Sequence, residues 1–327
     1  MRLHLSRSGN NGARLLLAGT VLLAAALGAG AGIASLPAEE ASVSASPPAP
    51  PLSAASLNIN PKRIVLDRTG KSATVYLFNQ GDSAGLFDIT LVDRVMLPSG
   101  QIISAEDARS QPEASESLSR MNSAQAMLVA TPRRVRLAPH SGQTIRIRAS
   151  GDGTLAPGEY RTHLTIAAVP PPDTGVTADQ AAKQEPGALS FRIASIIGVS
   201  LPVILRNGPA DVRAAIEQAR VTTENLSLDG KSPPRPTAVA TFDLVRTGKS
   251  SLFGDIELRA AKGRSGKDGG EVIGLMRGVG VYPEIDRRHV RLVLSRQPQP
   301  GETLSLSFND DDTTPGKRLV QTPLVLP

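Results

Sequence analysis

The 327-residue chain has no cysteine and no tryptophan, and only nine aromatic residues, six Phe and three Tyr. Without cysteine there are no disulfides, thiolate nucleophiles, iron–sulfur clusters or thiolate zinc sites. So few aromatic faces disfavour a sugar-binding or base-stacking surface. Histidine is scarce as well. Of four, His4 lies in a basic start, and His140, His163 and His289 show no metal-ligand spacing such as HExxH. There is no GxSxG elbow, and Gly278-Val279-Gly280 is too short for a phosphate loop. The chain is therefore expected not to be an enzyme and to use no metal, cofactor or small-molecule substrate.

Charge of one sign is also nearly missing. The formal charge is +6, and it falls to +3 once Arg2, Arg7 and Arg14 of the acid-free first 34 residues are set aside. Nucleic-acid binding asks for a clustered basic stripe, so no nucleic acid is expected. Arg133, Arg134, Arg136, Arg146 and Arg148 cluster in sequence but alternate with apolar residues, as the outward face of strands does.

Glycine and proline, by contrast, number 30 and 26, which disfavours long helices. Between Leu15 and Ala34, fifteen residues are Leu, Ala, Val or Ile, and the stretch closes on the small residues Gly32 and Ala34. Residues 1–34 read as a secretory signal peptide. A retained anchor is the competing reading, since ~20 apolar residues span a bilayer. Residues 35–56 form an Ala/Ser/Pro-rich linker.

From Leu57 onward the pattern becomes one of short strands rich in Val, Ile, Leu and Thr, separated by Gly, Pro, Asp and Ser turns. It predicts an all-β antiparallel sandwich over 57–207 and, after the break Asn207-Gly208-Pro209, a second sandwich over 208–327. Ser104 to Met127 departs from this. The stretch is polar, and its later part reads as a short helix or a mobile insertion. The run Asn309-Asp310-Asp311-Asp312 lacks the spacing of a calcium loop and reads as a solvated turn.

Four segments then carry a family resemblance. They are Asn60 to Leu66; Ala130 to Pro139 with Gln143 to Ile147; Pro157 to Leu164 with Val169-Pro170-Pro171; and Ile197 to Arg206. In this order they resemble the PapD-like periplasmic chaperones of chaperone–usher pili. The resemblance covers 57–206 well and the remainder loosely. It implies two immunoglobulin-like β-sandwich domains in a boomerang arrangement. It also implies a periplasmic chaperone that stabilises pilus subunits by donor-strand complementation and delivers them to an outer-membrane usher. The alternative is an exported structural pilus component or surface adhesin, although 35–56 lacks the alternating apolar extension such a subunit would donate.

The odd positions from Leu189 to Val203 are apolar except Ser195. This suits an edge strand whose alternate side chains fill a partner's pockets. By the resemblance the donor residues are Ile193, Ile197 and Val199. The resemblance also makes Arg63 the anchor of the client's terminal carboxylate, since its planar fork suits bidentate binding. The family's second cation, a Lys, falls at Pro202, which leaves Lys62 the nearest other cation in sequence. Glu159 and Arg206 match an inter-domain ion pair, whose third member cannot be placed from the sequence.

Overall fold

A computed structural model describes residues 57–67, 70–150, 155–170, 198–262 and 270–324. The chain begins with strands β1 (Leu57–Asn60), β2 (Ile64–Leu66), β3 (Ser72–Asn79) and β4 (Gly85–Val92). Next come the hairpin β5 (Arg94–Met96) and β6 (Ile102–Ser104), then the short helices α1 (Ala105–Arg109) and α2 (Ser115–Arg120). Strands β7 (Leu128–Thr131), β8 (Arg134–Leu137), β9 (Gly142–Ala149), β10 (Gly158–Ala168) and β11 (Gly198–Asn207) follow. The later part is β12 (Ala214–Leu226), β13 (Arg235–Arg246), β14 (Leu252–Lys262), β15 (Glu271–Val281), β16 (Arg287–Val293), β17 (Glu302–Asp310) and β18 (Arg318–Leu324).

Two sheets, ordered β1-β3-β9-β7 and β2-β11-β10-β4-β8, face each other across the first core. Alternation makes the core: Val75, Leu77, Ile145 and Ile147 point inward from one sheet, and Phe87, Ile89, Leu164, Ile166, Leu201 and Val203 from the other. The arginines that alternate with them, Arg134, Arg136, Arg146 and Arg148, are exposed. The second sandwich pairs sheet β12-β13-β16 with sheet β15-β14-β17-β18 around Phe242, Leu244, Ile256, Leu258, Leu306 and Phe308. The all-β expectation is met.

The polar stretch after β4 is packed, unlike the mobile alternative expected for it. Val95, Leu97, Ile103, Ala108 and Ala114 form a small core of their own, against which Leu118 and Met121 pack. The Ser104 hydroxyl accepts from the Asp107 N–H at 2.9 Å and so starts α1, with Glu106 and Asp107 in the favourable first turn. The insertion also reaches the second sandwich. Met96 joins that core, His289 N–H donates to the Pro98 carbonyl at 2.7 Å, and Arg120 forks onto Asp286 at 2.6 and 2.9 Å.

Candidate functional site

Strand β10 pairs antiparallel with β11, setting Glu159 opposite Arg206, Arg161 opposite Ile204 and His163 opposite Pro202. One face of β10 carries Leu164 and Ile166 into the first core. The other carries Glu159, Arg161 and His163, all buried. On a free-standing sandwich these three would face water, because strand side chains alternate. Here the second sandwich and the insertion cover them. Ile204, on the same face of β11, belongs to the second core, while its neighbour Val203 belongs to the first.

The charges under this cover are paired, as burial requires. Arg206 Nη2 donates to Glu159 at 3.1 Å and to Asp312 at 3.0 Å. Glu159 also accepts from the Ser251 N–H at 3.2 Å. Glu159 and Arg206 are thus brought together across β10 and β11, and Asp312, from the turn after β17, reaches the same Arg206 nitrogen. Burial opposes the charged Asp312 carboxylate, but the Arg63 and Arg206 guanidiniums outweigh it and hold its pKa below the ordinary value. For Arg206, burial is likewise outweighed, by Glu159 and Asp312, and its pKa is raised.

Asp312 overturns the solvated-turn reading of the Asn-Asp-Asp-Asp run. Asp310 is almost fully buried and organises the turn, accepting from Asp312 N–H at 3.2 Å, Thr313 Oγ1 at 2.6 Å and Thr314 N–H at 2.6 Å. The turn thereby aims Asp312 at the arginines. Gly254 lets β14 and β17 come close here, since a Cβ at that position would fall 1.9 Å from the Asn309 carbonyl oxygen.

Arg63, just before β2, points into the same place. Its Nη2 donates to Ser251 Oγ at 2.9 Å and to Asp312 at 3.1 Å, and its guanidinium lies 4.6 Å from the Phe253 ring centroid. Its Nε and Nη1 are buried and have no hydrogen-bond partner among the described residues. Lys62 is exposed. Two further cations lie near Arg63: Arg206 shares Asp312 with it, and Arg161, which the sequence reading missed, lies with it over the Tyr282 ring, the two guanidiniums at 4.0 Å for Arg161 and 5.7 Å for Arg63. Arg161 pairs with buried Glu284, which also accepts from Met96 N–H at 3.0 Å.

His163 completes the buried row. Arg161 Nη1 lies 3.3 Å from both ring nitrogens, one of which is open to accept in the neutral ring. Burial, with the charges of Arg161 and Arg94 added, pushes its pKa down to about 2.

The donor residues fare differently. Ile193 and Ile197 lie outside the described residues. Val199 stands near the start of β11, on the face that carries Leu201 and Val203 inward and opposite buried Ile166, yet it is 39% exposed. β2 runs parallel to β11 but pairs only with Val203, Ile204 and Leu205. Among the described residues, Gly198 to Pro202 therefore have a neighbouring strand on one side only.

No family model matches the chain, and no curated protein does. The chain is similar to solved pilus chaperones. A structure of the YadV chaperone has 12% identity, covering 82% of this chain and 99% of that one, with a TM-score of 0.39. The CupB2 chaperone of Pseudomonas aeruginosa has 12% identity, covering 83% and 100%, with a TM-score of 0.39. The CsuC–CsuE chaperone–tip subunit pre-assembly complex from archaic chaperone–usher pili of Acinetobacter baumannii gives 12%, 84%, 100% and 0.37.

Proposed function

We propose that the protein is a periplasmic chaperone that holds incomplete pilus subunits by lending them the open edge of β11, without catalysis. The observation that carries this reading is the half-paired strand: among the described residues, Gly198 to Pro202 have a strand partner on one side only, beside the exposed Val199. Such an edge is a template for an added strand, in which main-chain hydrogen bonds hold the client and alternate side chains enter its pockets. Ile193 and Ile197 extend the same alternation in sequence.

Arg63 serves as the carboxylate anchor in this reading, with Arg161 beside it. Residues 57–207 and 208–327 are its two domains. Residues 1–34 export it, and the usher receives the loaded complex. Among the described residues, no group of three His, Asp or Glu gathers as a metal site, and no helix is long and apolar enough to cross a membrane.

The test is purification of the chain from the periplasm of its own cells, with mass spectrometry of what comes with it. A secreted, strand-deficient sandwich subunit is expected, together with an intact mass for the chaperone that begins at or after Ser35. Incorporation of the chain itself into surface fibres would favour the structural-component alternative.

A further inference from the structure

Bidentate capture of a carboxylate by a guanidinium uses two neighbouring N–H groups on one edge of the fork. Each such edge contains one N–H of the nitrogen that stands between them, here Nη2, together with Nε on one edge or Nη1 on the other. In this structure both N–H groups of Nη2 are occupied, one by Ser251 Oγ and one by Asp312, while Nε and Nη1 are buried and unpartnered. A carboxylate brought to either edge, once the cover over Arg63 opens, therefore meets one N–H without a partner and one that is taken. Asp312 is the partner that can leave at less cost. It has a second buried cation to fall back on, since its Oδ2 also accepts from Arg206 at 3.0 Å.

The local charge points the same way. The Asp312 carboxylate already belongs to a set of buried pairs: Arg63 and Arg206 share it, Arg206 also holds Glu159, and Arg161 holds Glu284. A further carboxylate brought to donors already occupied competes with the one present unless that one loosens its grip. The turn that carries Asp312 is fixed by Asp310 rather than by Arg63, so the Asp312 side chain can shift without dismantling the turn.

We propose that Asp312 is an internal placeholder for the client's terminal carboxylate: it occupies Arg63 in the empty protein and is displaced onto Arg206 alone when a carboxylate-ended strand is captured. This makes Asp312 a residue that sets affinity for the carboxylate. It also couples capture to the contact between the two sandwiches, because Arg63 and Arg206 belong to the first and Asp312 to the second. The inference rests on the carboxylate-anchor reading of Arg63.

The test uses the full chain and two probes: a fluorescein-labelled peptide of alternating valine and threonine that ends in a free carboxylate, and the same peptide as its C-terminal amide. Fluorescence anisotropy measures the preference for acid over amide in the wild type and in Asp312→Asn. The preference is expected to rise about tenfold in the variant, because the competing charge at Arg63 is gone while an acceptor for Arg206 remains. An acid preference present in the wild type and unchanged in Asp312→Asn overturns the placeholder and leaves the anchor standing. Equal binding of acid and amide by both proteins, or no binding of either peptide, overturns both. Should Asp312→Asn fail to fold, the carboxyl 13C resonance of Asp312 in the wild type decides. It is expected to move when the acid peptide is added and to stay when the amide is added. A resonance that ignores the acid peptide overturns the inference.

Discussion

The two halves of β11 are built on opposite plans. From Val203 to Leu205 the strand has β10 on one side and β2 on the other, and its side chains enter both cores in turn, Val203 the first and Ile204 the second. Arg206 then fastens the end to Glu159 and Asp312. From Gly198 to Pro202 the strand has only β10 beside it among the described residues, and Val199 is partly exposed. A strand can be offered to a partner at one end only if the other end does not come away with it. The locked half supplies that resistance, because pulling it out would open two cores and expose a buried charge network. The comparison yields three predictions, ordered by their effect on the stability of the protein on its own.

The largest belongs to the locked half. Ile204 is fully buried where the first sandwich meets the second core. Truncation of such a side chain loses its transfer energy and leaves a cavity, so Ile204→Ala is expected to cost about 2 to 5 kcal/mol. Denaturant unfolding measures it. A loss below 0.5 kcal/mol, a bound taken as about the scatter of surface substitutions, would mean that the half described as locked is not.

The second prediction concerns His163, opposite Pro202 where the two halves meet. Its folded pKa is depressed from 6.5 to about 2, so between those values the unfolded chain binds a proton that the folded chain refuses. Stability is therefore complete above pH 6.5 and falls as the pH drops, by up to ~1.4 kcal/mol per unit from this residue. By pH 4.5 that amounts to about 3 kcal/mol. His163→Gln keeps an acceptor for Arg161 and does not titrate, so its stability curve should be flatter over this window. Parallel wild-type and variant curves between pH 6.5 and 4.5 would remove His163 as the acid-sensitive point.

Much of this was legible in the sequence, and what was not has a common cause. Strand alternation gave the sandwiches, because one buried face per strand leaves a period of two in the chain. The matched segments aligned Glu159 with Arg206, which the β10–β11 register sets opposite each other. Asp312 was missed although the turn that carries it was read, because that turn was taken as solvated. The run does form a turn, but nothing within it tells that Arg63, 249 residues away, lies against it. Arg161 and His163 were missed in the same way, since charged residues that alternate along a strand look like a wet face. What covers that face is an insertion and a second sandwich, each distant in sequence. The one trace of it was composition: Glu, Arg and His at every second position of β10, beside a polar stretch too long for an ordinary loop.

The smallest effect on stability, and the sharpest test of the comparison, is at Val199. Val199→Thr keeps the β-branched shape that suits a strand and adds a hydroxyl that water can reach, because the site is open. Surface changes of this kind usually stay within about 0.5 kcal/mol, so the melting of the empty protein should hardly move. In a captured client the same side chain would lie in an apolar pocket. Burial of a valine contributes roughly 1.5 to 3 kcal/mol, and a hydroxyl placed there without a partner adds a desolvation cost. Client recovered by pull-down from the periplasm should therefore fall about tenfold or more while the melt stays put. If the melt drops as far as it does for Ile204→Ala, Val199 belongs to the protein's own core and the two halves of β11 are alike. If neither the melt nor the capture changes, the open half exists but clients are held elsewhere. Only a loss of capture at constant stability separates a strand that is lent from one that is merely frayed.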